Sequence, residues 1–181
     1  MAEFAKFTAE GQRPDRLPVT INPLSHDDIA ACAGLAAARE GEPVGPRVGT
    51  FTRAIDDPAQ LLLVARHGEH VVGYGKATCT VLPEEGTAPS GWYLTGVVVE
   101  PSARRRGVGD QLTTARSEAL QQRGARRVWF FANTRNRASL ALHTRRGFRE
   151  VTRDFTIPGV SFAGGEGVLA QWDAEDEGAQ G

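Results

Sequence analysis

One stretch of the sequence limits the possible folds more than any other, because an apolar run ends at a proline and leads into a glycine-bearing turn. Trp92–Val99 is mostly apolar and has the length of a strand, which predicts a strand buried on both faces. Pro101 prevents this strand from continuing, and Arg104–Gly109, with the pattern Arg-x-x-Gly-x-Gly, precedes a helical pattern. The stretch therefore predicts a strand–turn–helix unit of an α/β domain.

The turn has the composition of a phosphate site. Glycines let the backbone approach a ligand closely, and the unpaired N–H groups at the start of a helix, together with the helix dipole, favour an anion. Arg104, Arg105 and Arg106 add positive charge beside it. A Walker loop is excluded because no Gly-Lys-Ser/Thr follows, and Leu112 stands where a dinucleotide fingerprint has its third glycine.

Hydrophobic periodicity and turn residues predict further strands and helices around this unit, with a hairpin turn at His67–His70. The predicted strands are Leu17–Ile21, Gln60–Arg66, Val71–Val81, Trp92–Val99, Arg127–Ala132, Phe148–Ile157 and Gly167–Trp172. The predicted helices run from Ile29 to about Arg39, over Phe51–Ile55, from Val108 to Leu120 and around Ala138–Leu142. Glu42–Gly49 contains two prolines and two glycines and is predicted to be a loop. The order of elements predicts an α/β fold with a mixed sheet.

The length of 181 residues suits a single domain with a substantial core. Residues 1–16 are polar and without periodicity, and residues 173–181 are acidic, so we expect a loose N-terminus, one domain over residues 17–172 and a disordered tail. No apolar run approaches the roughly 20 residues of a membrane span, and the N-terminus lacks the apolar segment of a signal peptide. We therefore expect a cytoplasmic protein with no membrane partner.

Two motifs together are similar to those of a known family. Arg104–Gly109 resembles the acyl-CoA signature of the GNAT superfamily of N-acyltransferases. Asn136–Phe148 reads Asn-x-x-Ser-x-x-Leu-His-x-x-x-Gly-Phe and resembles the family segment Asn-x-x-Ala-x-x-Leu-Tyr-x-x-x-Gly-Phe. The resemblance implies a mixed, largely antiparallel sheet flanked by helices. It also implies transfer of an acetyl group from acetyl-CoA to a primary amine, expected on a small molecule, by direct attack in a ternary complex.

The resemblance also implies roles for individual positions. The main chain of Val97–Val99 would pair with the pantetheine arm of CoA like an added strand. Main-chain N–H groups of the turn would hold the pyrophosphate, and Asn136 would contact the cofactor near the arm. The positions expected to bind acetyl-CoA are Val97, Val98, Val99, Arg104, Arg105, Arg106, Gly107, Val108, Gly109, Asp110 and Asn136.

His143 stands where the family commonly has a tyrosine whose hydroxyl protonates the departing CoA thiolate. An imidazole with the ordinary pKa of about 6.5 also donates a proton near neutral pH. The resemblance therefore implies that His143 is the general acid, and the alternative is an exposed helix histidine without a catalytic part. The general base stays open, because Trp92–Val99 contains no glutamate, and the candidates are a water chain, Asp154 or Glu166.

Charge is distributed unevenly along the chain. Arg104–Arg153 carries 13 arginines and three acidic residues, a net charge of +10, and the remainder carries −11. We assign the positive part to CoA rather than to nucleic acid, because Trp129–Phe131 lies in an apolar strand pattern and no nucleic-acid motif accompanies it.

The acceptor is predicted from the acidic residues of the N-terminal half and of the loops expected around the site. They favour a cationic small amine, and the alternatives are a solvated acidic surface, or a protein N-terminus or lysine as acceptor. These residues are Glu42, Asp56, Asp57, Glu84, Glu85 and Glu166.

No metal site is expected, because His67 and His70 have no further His or Cys nearby in the sequence. The resemblance allows a homodimer, which is common in the family. The competing class of protein is a module that binds acyl-CoA or nucleic acid without catalysis.

Overall fold

The structure, a computed structural model, describes residues 15–83 and 88–174. Within them, seven strands form one sheet, and four α-helices pack against it. The strands are β1 Thr20–Pro23, β2 Gln60–His67, β3 His70–Thr80, β4 Gly91–Val99, β5 Arg127–Asn133, β6 Arg149–Thr152 and β7 Gly167–Asp173. The helices are α1 Ile29–Glu40, α2 Val44–Ile55, α3 Val108–Gln122 and α4 Arg137–Arg145.

The strands lie in the order β1-β2-β3-β4-β5-β7-β6. β4 and β5 are parallel neighbours, and every other neighbouring pair is antiparallel. Parallel neighbours need a crossover connection, which α3 provides. The predicted mixed, largely antiparallel α/β sheet flanked by helices is confirmed. Across residues 15–83 and 88–174, no helix combines the length and the apolar character that crossing a bilayer requires.

The two faces of the sheet are covered by different helices. In β2, Leu61 and Leu63 belong to the cluster beneath α3, whereas Leu62 and Val64 belong to the cluster beneath α1 and α2. Successive side chains of a strand point to opposite faces, so β2 supplies both cores at once. The sheet therefore separates an α3 side from an α1–α2 side.

α2 is longer than its sequence predicts. It begins at Val44, so the prediction of a loop over Glu42–Gly49 is wrong from Val44 onward. Pro43 precedes the helix and Pro46 lies in its first turn, where the N–H group that proline lacks would have no partner within the helix. Arg47 is therefore a helical residue rather than part of a loop.

β1 begins at Thr20 rather than at the predicted Leu17. The Leu17 side chain is buried beneath α3, and its N–H group donates to the carbonyl of Arg106 instead of to a neighbouring strand. β6 ends at Thr152, before the predicted end at Ile157. The pairing of β6 with β7 is already irregular between Glu150 and Thr152.

Both ends of the predicted domain continue into ordered contacts. Asp15, assigned to the loose N-terminus, accepts a hydrogen bond at its carbonyl from Arg106 Nε at 3.3 Å. Asp173, assigned to the tail, is the last residue of β7 and accepts from Arg127 at 2.7 Å and Arg149 at 2.8 Å. Residues 1–14 and 175–181 lie outside the described residues.

Candidate active site

A cleft opens where β4 and β5 separate. The two strands pair at Trp92 with Val128 and at Tyr93 with Trp129, and further pairs do not follow. The resulting cleft has a volume of about 410 Å³ and lies between β4, β5 and α4. Its lining includes Thr95, Gly96, Val97, Phe130, Ala132, Asn136, Leu142 and His143. The gap leaves one edge of β4 without a neighbouring strand.

A β-bulge lies in β4 at the point where the cleft begins. Lys76 of β3 faces Gly96, but the next β3 residue faces Leu94, so Thr95 is the extra residue. Bulges bend a strand and increase its twist, which turns β4 away from β5. Bulges are common next to active sites for this reason.

Arg116 of α3 holds the bulge from beneath. Its Nη1 donates to the carbonyls of Lys76 at 2.6 Å and Gly96 at 3.2 Å, and its side chain is fully buried. Burial lowers the pKa of Arg116 to about 9. A Cβ atom on Gly75 would lie 2.8 Å from Arg116 Nε, so the absence of a side chain there lets the guanidinium pass.

Two of the three predicted backbone positions on β4 direct their backbone groups to the edge that β5 leaves unpaired, and Val97 also lines the cleft. The Val97 carbonyl accepts from Arg39 Nη1 at 2.6 Å, and the Val99 carbonyl accepts from Arg104 Nε at 3.0 Å. Because backbone groups of successive strand residues point to opposite edges, Val98 directs its own groups towards β3. The edge available to an added strand is therefore formed by Val97 and Val99.

The predicted phosphate turn connects β4 to α3. Arg105 (φ 62°) and Gly107 (φ 78°) both have left-handed backbone conformations. Arg104 and Arg105 are exposed, and Arg106 is half-buried. The first N–H groups of α3 have no partner within the helix. Exposed arginines beside unpaired N–H groups fit the charge and the acceptor oxygens of a pyrophosphate.

The first residues of α3 have different environments. Val108 is a core residue, and a Cβ atom on Gly109 would make only an ordinary contact of 3.6 Å with Val97 Cγ1. Asp110 binds Arg146 through both carboxylate oxygens, with 2.6 Å between Arg146 Nε and Oδ1. The Asp110 side chain therefore links α3 to the end of α4. Only the main-chain N–H group of Asp110 is left for the predicted contact with the pyrophosphate.

Asn136 caps the N-terminus of α4. Its Oδ1 accepts from the Ser139 N–H group at 3.2 Å, and its side chain is exposed at the edge of the cleft. The cleft thus brings together Val97, Asn136 and His143, which are far apart in the sequence. The phosphate turn lies at the end of the same strand.

His143 is buried, with 4% of its surface exposed, so the alternative of an exposed helix histidine is wrong. Its ring stacks on Phe130 at a centroid distance of 3.5 Å and meets the edge of Phe148 at 5.2 Å. Nδ1 lies 2.8 Å from the Ser139 carbonyl and therefore donates to it. Nε2 is shielded from solvent and has no hydrogen-bond partner among the described residues.

Burial lowers the pKa of His143 to about 4, although the hydrogen bond to Ser139 opposes the shift. The ring is therefore neutral at pH 7, with its proton on Nδ1 and a lone pair on Nε2. Proton donation from Nε2 requires the imidazolium, which is a minor form at that pH.

A second cavity of about 240 Å³ lies on the other side of the bulge, between α1, α2 and strands β2–β4. It shares Arg39, Thr95 and Gly96 with the cleft. Its polar lining includes Arg39, Glu40, Arg47, Thr50, Gln60, Tyr74, Lys76 and Thr95, and its apolar lining is Ala36, Phe51, Ala54, Leu62 and Val98. We call it the acceptor cavity.

The acidic residues predicted to surround the acceptor do not line either cavity where the structure describes them. Glu42 binds Arg47, Asp57 accepts from the Ala59 N–H group, and Glu166 binds Arg153. Glu84 and Glu85 lie outside the described residues, and Asp56 is exposed. The carboxylates considered as general bases, Asp154 and Glu166, are likewise absent from both linings.

Sequence reasoning missed Arg39, Arg47, Lys76 and Arg116. Arg47 was assigned to a loop, and the other three have no motif around them. Arg116 alone left a signal, since an arginine interrupts the apolar face of the α3 pattern.

The hairpin histidines bind separate neighbours. His67 Nδ1 lies 2.9 Å from the Pro18 carbonyl, and His70 Nε2 lies 2.9 Å from the Glu100 carboxylate. Over residues 15–83 and 88–174, no three His, Cys, Asp or Glu residues are grouped in a way that would hold a metal ion.

Solved acetyltransferases have the same fold. The structure of yncA from Salmonella typhimurium, a putative acetyltransferase with its cofactor acetyl-CoA, is 16% identical with a TM-score of 0.68 and covers 89% of this chain and 96% of that one. A ribosomal-protein-alanine N-acetyltransferase from Brucella melitensis is 21% identical with a TM-score of 0.67 and covers 86% and 99%.

The family follows from the sequence comparison. The model of the acetyltransferase (GNAT) family matches residues 25–148, more than half of the chain, and the protein belongs to that family. Its members are N-acetyltransferases, and acetyl-CoA is their cosubstrate.

One curated relative is an aminoglycoside N(6')-acetyltransferase type 1 from Klebsiella aerogenes, which is 34% identical over 95 residues. The match spans 52% of this chain and 62% of the relative, which is less than two thirds of that protein.

Proposed function

We propose that the protein transfers an acetyl group from acetyl-CoA to a primary amine of a small molecule, by direct attack within a ternary complex. The observation that carries this proposal is the meeting of two cavities at Thr95 and Gly96, on either side of the β4 bulge. Two sites with a common boundary allow both substrates to be bound when the bond forms. Holding reactants together in this way removes much of the entropic barrier of a bimolecular reaction.

The cleft side supplies the cofactor contacts. The free edge of β4 at Val97 and Val99 offers backbone groups to the amide groups of the pantetheine arm, as an added strand would use them. The turn from Arg104 to Asp110 offers N–H groups and positive charge to the pyrophosphate. Asn136, at the edge of the cleft, completes this proposed set.

The proposed reaction begins with a neutral amine whose nitrogen attacks the thioester carbonyl carbon. The new C–N bond forms, negative charge develops on the carbonyl oxygen, and the C–S bond then breaks. The Val97 N–H group, which shares its edge with the Val97 carbonyl, is placed to stabilise that oxygen. The amine loses one proton, and the sulfur gains one as it leaves as a free thiol.

His143 is the proposed proton donor to the sulfur. It lies in the cleft wall, and Nε2 is a buried polar atom without a partner in the described part of the chain, a feature that calls for a functional explanation. Because Nε2 carries no proton at neutral pH, this role requires prior protonation and access of Nε2 to the cleft. The ratio of kcat between wild type and His143→Phe should then rise as the pH falls from 8 towards 5, and a constant ratio contradicts the general-acid role.

The test of the proposed function is release of free thiol from acetyl-CoA in the presence of a panel of small amines, peptides with free N-termini and a lysine-bearing peptide. We expect thiol release with small amines, and thermal stabilisation by acetyl-CoA that the Arg104→Ala/Arg106→Ala double variant reduces. Stabilisation without thiol release from any acceptor indicates a binding module instead. Activity confined to the peptides indicates a protein acetyltransferase.

A further inference from the structure

We infer that the acceptor amine also carries an anionic group, a carboxylate or a phosphorus oxyanion, which is bound in the acceptor cavity by Lys76 together with Arg39 and Arg47. The inference rests on the proposed function, because it names the substrate class of the same site. It predicts that amino acids or similar compounds are preferred over polycationic amines such as aminoglycosides.

The charge around the cavity is the first argument. Arg39, Arg47 and Lys76 line it, and Glu40 is the only acidic residue that does so among those the structure describes. Glu40 and Glu42 both bind Arg47, whereas neither Arg39 nor Lys76 has an acidic partner in residues 15–83 and 88–174. Two positive charges at the cavity therefore have no carboxylate partner in the part of the chain that the structure describes.

The second argument is the repulsion between these cations. Burial and the positive charge of Arg47 lower the pKa of Lys76, so its ammonium lies in a place that disfavours charge. The charges of Arg39 and Arg47 also act on the buried hydroxyl of Tyr74, where they oppose the rise in pKa that burial causes. An anion between the cations would relieve the repulsion, and a second cation would increase it.

Unused hydrogen-bonding capacity is the third argument. The ammonium of Lys76 has three donors, and it makes no hydrogen bond to any described residue. Arg47 donates from Nη2 to Glu40 and Glu42, yet its Nε is buried without a partner in the same part of the chain. Charge-assisted bonds to an oxyanion are stronger than neutral ones, so an anionic group suits both side chains.

The size and the remaining walls of the cavity limit the rest of the acceptor. At about 240 Å³ it is smaller than the roughly 300–1,000 Å³ typical of sites for drug-sized ligands. Phe51 and Leu62 belong to an apolar wall, which suits a short apolar side chain. With the anionic group at Lys76, the amine is left to point towards Gly96, where the cavity meets the cleft. These limits fit a single amino acid better than a molecule of several sugar rings.

The inference is tested with matched acceptors. Thiol release is measured for a panel of α-, β- and γ-amino acids and aminoalkylphosphonates, each beside its uncharged amide or decarboxylated counterpart, with spermidine and kanamycin as polycations. We expect kcat/KM to be about 10-fold or more higher for the best anionic amine than for its uncharged counterpart. Equal rates, or a preference for the polycations, overturn the inference while leaving the proposed acetyl transfer intact.

Variants at the cavity provide a second readout. Lys76→Met should raise KM for the anionic amine and leave KM for its uncharged counterpart nearly unchanged, and Lys76→Glu should shift the preference towards a cationic amine. Arg53→Gln is the control, because it also removes one positive charge. Arg53 is an exposed residue of α2 and lies outside the cavity lining. A preference that does not change in Lys76→Glu, with the fold verified by its melting temperature, contradicts the assignment.

A binding measurement separates the two proposals if no amine is acetylated. In that case the proposed function fails, and the inference is judged by thermal stabilisation in the presence of CoA. N-acetylated amino acids should stabilise the protein, and their N-acetylated amides should do so less. Equal stabilisation by both, or by neither, overturns the inference as well.

Discussion

The cleft beside β4 and the acceptor cavity beneath α1 and α2 are built from different parts of the chain. The cleft uses backbone edges, unpaired N–H groups and glycines that lie within one stretch, from Trp92 to Phe148. The acceptor cavity uses the side chains of Arg39, Arg47 and Lys76, each from a different element. A site made from local backbone geometry can be recognised from a motif, whereas a site made from distant side chains requires the fold.

The largest effect is expected from a variant at Arg116, because its side chain supports the bulge that lies between the two cavities. Arg116→Met should lower the free energy of unfolding by about 3 kcal/mol, because the bulge loses the fully buried guanidinium that donates to the carbonyls of Lys76 and Gly96. Urea unfolding measures the change. Arg123→Met is the control, because Arg123 is exposed at the end of the same helix and bonds a single carbonyl. Equal losses in both variants would mean that Arg116 does not support the bulge.

The cleft also differs from the acceptor cavity in having a buried histidine, His143, in its wall. The pKa of His143 is about 4 in the folded protein and about 6.5 when unfolded, so protonation favours unfolding. The contribution is present above pH 6.5 and is lost as the pH falls towards 4. Between pH 7.5 and 4.5, wild type should lose about 2.5 kcal/mol more stability than His143→Phe. Parallel losses in the two proteins, measured by urea unfolding, would place the His143 pKa near its ordinary value.

A smaller effect is expected at two glycines with left-handed backbone conformations, of which one lies in the phosphate turn. Gly107→Ala and Gly124→Ala each place a side chain on a left-handed residue, with φ of 78° and 86°, and should each cost about 1 kcal/mol. Only Gly107 belongs to the phosphate turn, so only its variant should also weaken the thermal stabilisation by acetyl-CoA. If Gly124→Ala weakens that stabilisation equally, the turn has no special part in binding.

The elements predicted correctly are those with local causes. The hairpin turn pairs His67 with His70 as expected. α1 ends before Gly41, whose φ of 68° is a left-handed conformation that glycine adopts without strain. The end of α2 at Ile55 was predicted correctly, but its first part was predicted to be a loop, because Pro46 and the glycines of this segment normally indicate one. The buried residues of α2 are Phe51 and Ala54 in its second half, whereas Val44–Pro46 and Val48 are exposed. The first turns therefore extend a helix that is anchored further along, and Arg47 in these turns binds Glu40 and Glu42. Such contacts are not visible in a local pattern.

The charge distribution along the chain did not predict which charges line the acceptor cavity. We interpreted the −11 outside Arg104–Arg153 as favouring a cationic acceptor, whereas the described residues that line the cavity include three cations and one carboxylate. Among the described carboxylates of that part, Glu42 binds Arg47 and Asp56 is exposed. The net charge that lines a cavity depends on which side chains converge there, and the net charge of a sequence segment does not determine it.

By itself, the sequence determined the strand–turn–helix unit, the family resemblance and the position of His143, because turns, caps and periodicity depend on residues close in the chain. Only the tertiary structure decided that the His143 ring is buried and neutral, and that Arg39, Arg47 and Lys76 surround one cavity. The burial of His143 arises from its packing against Phe130 and Phe148, and the three cations converge because α1 and α2 pack on the sheet. Long-range packing therefore determines both the local dielectric and the charges that a ligand meets.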